Sequence, residues 1–223
     1  MNTLDTAQLI ALAAVLGWAS GVRLYLVMLL TGLAGFMGWV ELPQGLRLLA
    51  HPVVLGACGF MVFVEFFADK IPGLDSLWDV VHTLIRIPAG AALAAGVFGA
   101  DSGVMALVAA LVGGTLAATS HAAKATTRAA INTSPEPFSN VGASLLEDGL
   151  VPLGLWLAVV HPFIFAVALV LLLALSLWLI RTCWRFLMQL FARVARIFSG
   201  KPDPGPSPAF TLKSPFSRND KNV

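Results

Sequence analysis

Long apolar runs are the feature that most limits how this chain can fold. A helix needs about 20 apolar residues to cross the hydrocarbon core of a bilayer. The sequence contains six candidate spans, at residues 7–38, 51–69, 87–100, 102–122, 141–160 and 162–181. The 223 residues are 58% hydrophobic and only 12% charged, which is more apolar than a soluble core requires. The sequence therefore predicts an all-α, polytopic membrane bundle with about six transmembrane helices.

Two of these spans are irregular. The first is longer than one crossing and has Ser20, Gly21 and Arg23 near its middle, so we expect a tilted or broken helix. The third is short unless residues 74–86, which follow a helix-breaking Pro-Gly pair, enter the membrane with it. Whether residues 74–86 form a re-entrant or an interfacial segment stays open.

The basic residues predict the orientation of the chain. With six crossings, Lys70, Arg86, Lys124, Arg128 and the Arg-rich end lie on one side of the membrane, which leaves mainly Arg47 on the other. By the positive-inside rule, both termini are expected in the cytoplasm. A net charge of only +2 with this asymmetry indicates a topology signal and no nucleic-acid partner.

The end of the chain contains two further segments. Residues 181–198 carry arginines along one face and apolar side chains along the other, which predicts an interfacial helix on anionic lipid. A basic stop after the last span explains the same charge without lipid recognition. Residues 199–223 are polar and Pro-rich, which predicts a disordered cytoplasmic tail after a helical domain of residues 1–198.

Ionisable residues recur at helical spacing in two stretches. Side chains at i, i+4, i+7 and i+11 share one face of a helix. The first such edge consists of Asp75, Asp79, His82 and Arg86. A second, cationic edge with nearly the same spacing consists of His121, Lys124, Arg128 and Asn132. Proline and glycine punctuation follows both stretches, at Pro88 to Gly90 and at Pro152 to Gly154, so a weak internal repeat is a further hypothesis.

The cost of burying charge predicts where these groups point. A charged side chain at the bilayer centre costs about 2.5 to 3.5 kcal/mol, so we expect these residues to face the bundle interior or water. Glu65 and Asp69 are opposite in sign to Lys124 and Arg128 and lie on the same side. They predict either interhelical ion pairs that lock the bundle or a cytoplasm-facing cavity for a polar or anionic solute. The candidate site residues are Arg23, Glu65, Asp69, Asp75, Asp79, His82, Arg86, His121, Lys124, Arg128, Asn132, Glu147 and Asp148.

Five motifs stand out in the polar segments. They are GVR at residues 21–23, ADKIPGLDSLWD at 68–79, SHAAKATTR at 120–128, SPEPFSN at 134–140 and ED at 147–148. In these motifs, and over about residues 7–185, the chain resembles a family of bacterial multi-pass membrane proteins described as domain of unknown function 4126. The resemblance implies a helical bundle in the bacterial inner membrane. It implies no activity, so no catalytic residue is carried over.

Three classes of function are compatible with these observations. In the favoured one, a small transporter or permease, Arg23, His121, Lys124 and Arg128 attract an anionic group while the acidic residues and His82 couple protons or hold a countercharge. In the second, an accessory or assembly protein, the charged stripes bind a partner or each other.

The third and least favoured class is a membrane enzyme acting on a lipid phosphate. Asp75, Asp79 and His82 would then hold a divalent ion, although one helix face supplies few ligands. No nucleophile and base occur at a familiar spacing, so we expect no enzymatic activity, no metal and no cofactor. The expected partners are the lipid bilayer and a small solute, and the sequence leaves open whether the chain forms a homo-oligomer.

Overall fold

Helices account for the fold wherever the structure describes the chain. A computed structural model describes residues 4–71, 73–99, 102–133 and 137–199, and no strand occurs among them. The elements are α1 (Thr6–Phe36), a 3₁₀ helix (Gln44–Ala50), α2 (Pro52–Ala68), α3 (Leu74–Phe98), α4 (Gly103–Ile131), α5 (Pro137–Val160) and α6 (Pro162–Ser199). By length and composition, five helices could cross a membrane, or six if the 3₁₀ helix and α2, bent by 69°, form one span. The predicted all-α class with about six spans is confirmed.

Two segments that the sequence analysis treats separately form one continuous helix. Residues 74–86 and the short span expected at 87–100 form the single helix α3, with Pro88 inside it. Helices tolerate a proline in such bundles because neighbouring helices satisfy the freed backbone groups. Gly73, whose φ is 86°, makes the turn before α3, a left-handed conformation that favours glycine.

The C-terminal segment is also helical as far as it is described. Residues 181–198 belong to α6 and do not form a separate helix. Contacts divide the chain into the units Met1–Leu187 and Met188–Val223, and the second is helical up to Ser199. An interfacial position on anionic lipid stays a prediction, and the tail predicted to be disordered lies outside the described residues beyond Ser199.

Helix α1 forms the centre of the first unit. It packs against α2, α3, α4, α5 and the 3₁₀ helix. It approaches α3 and α4 closely where Gly17, Gly90 and Gly113 meet, and a Cβ atom added at Gly17 would lie 2.6 Å from the Cα of Gly113. Small residues allow such close packing, which drives helix association where lipid is as apolar as the side chains.

Helices α3 and α4 place charged side chains inside the bundle, beside its apolar core, and large apolar side chains on the outside. On α3, the edge that begins at Asp75 and ends at Arg86 is buried, whereas Leu77 is 61% and Leu84 is 82% exposed. The same holds for the cationic edge of α4 from His121 to Arg128. A helix with this arrangement suits a lipid exterior and a charged interior.

Filling the glycine contact should destabilise the bundle. We expect Gly17→Ala to lower the free energy of unfolding by about 1–3 kcal/mol, because the new methyl group meets backbone and α1 must move away from α4. Thermal unfolding of the purified protein in detergent measures the effect. The matched control is Gly56→Ala on α2, where a Cβ atom meets nothing within 4 Å. Equal melting temperatures for both variants would contradict the role of the glycine contact.

Candidate functional site: a buried charge network

The site begins at a break in α1. Arg23 has φ −144° and ψ 79°, so the helix is interrupted there, as the length of this span and its Ser-Gly pair predicted. Polar groups of α4 bond to backbone carbonyls that precede the break. The Lys124 ammonium donates to the Val22 carbonyl at 3.1 Å, and the Ser120 hydroxyl donates to the Trp18 carbonyl at 2.7 Å. These two hydrogen bonds therefore join α1 to α4 beside the break, and the break directs the Arg23 side chain into the bundle.

Asp69, directly after α2, is the centre of the charge network. Its Oδ2 atom lies 2.8 Å from the Arg23 guanidinium and 2.9 Å from the Lys124 ammonium. Its backbone carbonyl accepts a hydrogen bond from Arg128 at 3.1 Å. A single buried residue thus binds cations from α1 and α4 together.

Helix α5 supplies the network with its outermost carboxylates. Glu147 lies 3.2 Å from Lys124 and 3.1 Å from Arg128, and Asp148 lies 3.0 Å from Arg23. Their side chains are 14% and 25% exposed, whereas the four cations of the network are at most 2% exposed. Solvent can therefore reach the network at its α5 edge.

Arg86 forms the inner end of the network. One terminal nitrogen donates to Asp79 on its own helix at 2.7 Å, and the other donates to Glu65 on α2. The Lys124 ammonium, 3.7 Å from Asp79, connects this end to the centre. His121 lies beside it, with Nδ1 3.3 Å from Arg86 and Nε2 2.7 Å from the Thr83 hydroxyl. One guanidinium is therefore shared by two buried carboxylates.

Amide side chains link the polar ends of α3, α4 and α5 by hydrogen bonds. Asn132, at the end of α4, donates to both carboxylate oxygens of Asp75 at 2.8 and 3.1 Å and accepts from Asn140 at 2.6 Å. Asn140 in turn accepts from Arg128 through its side-chain oxygen at 3.2 Å. These bonds fix the start of α3 against the α4–α5 connection and extend the network by hydrogen bonding.

The structure brings most of the predicted site residues into one cluster. The ion-pair network contains Arg23, Glu65, Asp69, Asp79, Arg86, Lys124, Arg128, Glu147 and Asp148. Asp75, His121 and Asn132 join it through hydrogen bonds. His82 lies at its edge, where Nε2 is 3.2 Å from the Tyr25 hydroxyl and the ring stacks on Trp78.

Several neutral residues of the site were not predicted as site residues, and Asn140, which bonds Asn132 and Arg128, is one of them. The Ser144 hydroxyl accepts a hydrogen bond from Arg23 at 2.7 Å, Tyr25 contacts His82, and Thr83 contacts His121. The signal for Ser144 was present, since it stands four residues after Asn140 and three before Glu147, on one helix face. Thr83 has the same spacing, four residues after Asp79 and three before Arg86, whereas Tyr25 follows no such spacing.

Charge sets the protonation of the groups between the spans. Burial alone would raise the pKa of Asp69, but the charges of Lys124 and Arg23 outweigh it and hold that pKa below its ordinary value. Burial lowers the pKa of Lys70, whose ammonium donates to Ser144 at 3.4 Å and lies over the Phe66 ring. Lys70 has no carboxylate within 4 Å among the described residues and stands outside the ion-pair network.

Such a network can exchange partners without leaving a buried charge alone. Lys124 faces three carboxylates and Arg23 faces three, so either cation can give up one contact and keep another. That property matters because removing the only partner of a buried ion is strongly destabilising. In the described part of the chain, no group of three or more His, Cys, Asp or Glu side chains is placed to hold a metal ion.

Comparison with known proteins identifies the family. The model of the family described as "Domain of unknown function (DUF4126)" matches residues 10–182, and the chain belongs to that family. No curated protein and no solved structure matched the chain. The matched region contains the whole ion-pair network and all five motifs noted in the sequence.

Removing the central carboxylate should cost the most stability at neutral pH. We expect Asp69→Asn to lower the free energy of unfolding by about 1.5–3 kcal/mol, because Arg23 and Lys124 each lose a charged partner but keep other carboxylates within 4 Å. The contribution of Asp69 is complete above the ordinary carboxyl pKa of about 3.9 and is lost as the pH falls through its lowered folded pKa. Wild type and variant should therefore converge in acid.

Chemical denaturation of both proteins in detergent, from neutral pH to below pH 4, measures this convergence. The matched control is Glu41→Gln, whose exposed carboxylate is 4.0 Å from Arg47 and should cost at most about 1 kcal/mol. A constant difference between wild type and Asp69→Asn at every pH would show that the carboxylate charge is not what stabilises the bundle.

Proposed function

We propose that this chain is a small membrane transporter whose buried charge network binds and moves a polar or anionic solute. The observation that carries the proposal is the break of α1 at Arg23, in the centre of that network. Interrupted helices whose backbone and charged side chains meet inside a bundle are the usual construction of transporter binding sites. Charged side chains inside a membrane are otherwise so costly that they mark functional sites by default.

The arrangement of cations supports an anionic group on the solute. Arg23 and Arg128 both reach Glu147 on α5, and Lys124 lies between them on the same carboxylate. An anion that displaced Glu147 would therefore meet three cations at once. Glu147 belongs to the partly exposed edge, so this exchange would take place where solvent has access.

The network as described is a closed state of such a transporter. Arg23, Asp69 and Arg86 are at most 1% exposed, so a solute cannot reach them without a movement of helices. Helix α5 is the natural moving part, since it packs mainly on α1 and makes few contacts with α4. Its inner surface meets α1 at Gly154, where a Cβ atom would lie 3.2 Å from Val15.

The proposal also includes the membrane in which the chain lies and its orientation there. A bacterial inner membrane with both termini in the cytoplasm would place the Glu147 edge on the cytoplasmic side, following the positive-inside rule. The arginines of α6 at positions 181, 185 and 193 would then meet the anionic lipid of the inner leaflet. No resident cofactor or enzymatic step is part of this proposal.

Opening of the network should make Ser144 reactive. In a chain with Cys58→Ala and Cys183→Ala, we expect Ser144→Cys to be labelled by a membrane-impermeant thiol reagent from the cytoplasmic side only. Ser144 is fully buried against Arg23, so labelling requires the α5 edge to open, and cysteine is close to serine in size. The measurement is labelling of inside-out and right-side-out vesicles, with folding checked by size-exclusion chromatography.

Ala19→Cys is the matched control, since Ala19 is equally buried but lies in the apolar part of α1 and should stay unlabelled. Labelling of Ser144→Cys would justify a screen of anionic and zwitterionic solutes by currents on supported proteoliposomes. A folded Ser144→Cys protein that resists the reagent from both sides would exclude an opening site.

A second candidate is favoured by one observation. Each of the four network cations already has a carboxylate within 4 Å, which is what a rigid lock between helices requires. The chain would then be an accessory or assembly protein whose network holds the bundle for a partner. Resistance of Ser144→Cys to labelling is the result that this candidate predicts.

A further inference from the structure

The ion-pair network contains more carboxylates than cations. Its negative groups are Glu65, Asp69, Asp79, Glu147 and Asp148, and its positive groups are Arg23, Arg86, Lys124 and Arg128. Five carboxylates against four cations leave one more negative than positive charge among the residues paired within 4 Å, a count that leaves out Asp75, bonded to Asn132, and Lys70, which stands outside the network. An uncompensated buried charge is among the most expensive features a protein can contain.

The imbalance is greatest at the inner end, around Arg86. Among the described residues, this guanidinium is the only cation within 4 Å of Glu65, and it is shared with Asp79. Lys124 is 3.7 Å from Asp79 but closer to Asp69 and Glu147. Glu65 and Asp79 are 1% exposed, and the second oxygen of each is buried and accepts no hydrogen bond within the described part of the chain.

We propose that Glu65 and Asp79 share one exchangeable proton, held across Arg86, and that this proton is the ion to which transport is coupled. Binding forms an O–H bond on a carboxylate oxygen and takes the proton from water, and release reverses that step. The coupling role rests on the proposed transport function, whereas proton binding does not. Arg86 itself stays charged, because a guanidinium does not deprotonate in proteins.

Geometry favours a proton over a metal cation at this place. The two carboxylates bind different nitrogen atoms of Arg86, and among the described residues no third carboxylate, His or Cys side chain is placed with them to hold a metal ion. A metal ion needs several oxygens directed at one centre. A proton needs only one of the two buried oxygens that accept no hydrogen bond.

A route for the proton follows the network outward. Lys124 would donate one of its protons to Glu147, 3.2 Å away, and the neutral amine would then take the proton from Asp79 at 3.7 Å, so that the proton leaves through the partly exposed Glu147. Movement of Lys124 between these carboxylates would open and close the route. The titratable and charged groups around the pair are Tyr25 and Arg23 on α1, Asp69 after α2, His82 and Arg86 on α3, and His121 and Lys124 on α4.

Infrared difference spectroscopy of the full chain in nanodiscs tests this inference. We expect a carbonyl stretch of one protonated carboxyl at neutral pH that disappears on alkalinisation and shifts in deuterium oxide. Both Glu65→Gln and Asp79→Asn should lose the band, because either amide leaves a single carboxylate that Arg86 neutralises. Loss in both variants is the signature of a proton that belongs to the pair.

The matched controls are Asp75→Asn, on the same helix but bonded to Asn132, and the exposed Glu41→Gln, and both should keep the band. Should a variant fail to fold, the wild-type band and its titration still decide whether a carboxyl is protonated. Absence of the band in folded wild type at every pH would overturn the inference. A band that survives in both Glu65→Gln and Asp79→Asn would also overturn it, because the proton would then lie elsewhere.

Salt exchange distinguishes the remaining possibility. Replacing choline by sodium should leave the carboxyl and carboxylate bands unchanged, and a sodium-dependent change would mean a metal cation in place of the proton. The outcome is separable from that of Ser144→Cys. A shared proton in a protein whose Ser144→Cys resists labelling would reject transport and the coupling role while the proton site stands.

Discussion

The structure depends on one constraint, that a charge taken into an apolar bundle must bring its partner with it. Asp69 meets that constraint for two helices at once, since Arg23 and Lys124 both converge on its carboxylate. Removing any of the helices that carry these groups would take a charged partner from the others. The apolar exterior, by contrast, is interchangeable, because Leu77 or Leu84 loses little by facing one lipid tail or another. The polar interior therefore determines which helices pack against each other in this fold.

The same constraint orders the assembly of the bundle. Helices α2 and α3 each carry a buried carboxylate, Arg86 of α3 pairs with Glu65 of α2, and Lys124 of α4 lies near Asp79 of α3. Inserted singly, each helix bears a penalty of a few kcal/mol per charge. Packed around α1, they neutralise one another, and the meeting of Gly17, Gly90 and Gly113 lets the backbones come close enough for the side chains to do so. Close packing of the helix backbones and pairing of the buried charges therefore depend on each other.

Much of the fold and of the charge network could be predicted from the sequence, for physical reasons that differ from one element to the next. The spans follow from apolar length, and the break at Arg23 follows from a charge and a Ser-Gly pair inside an overlong run. The inward orientation of Asp75, Asp79 and Arg86 follows from their shared helix face. Spacing could not show that Glu65 pairs with Arg86 and not with Lys124 or Arg128, because that choice depends on how α2 and α3 pack. Nor could it show that α3 continues through Pro88, since a proline breaks or merely bends a helix according to its neighbours.

Tyr25 gives the network an unusual property. It is the only tyrosine in a chain that contains six tryptophans, and its hydroxyl lies 3.2 Å from His82 at the edge of the charge cluster. A hydrogen-bonded phenol has vibrational and ultraviolet bands that respond to the charge and hydrogen bonding of its surroundings. In most proteins such bands are a blend from many sites. Here the tyrosine bands come from one residue. The chain therefore carries a native optical reporter beside its buried charges, with no label to disturb them.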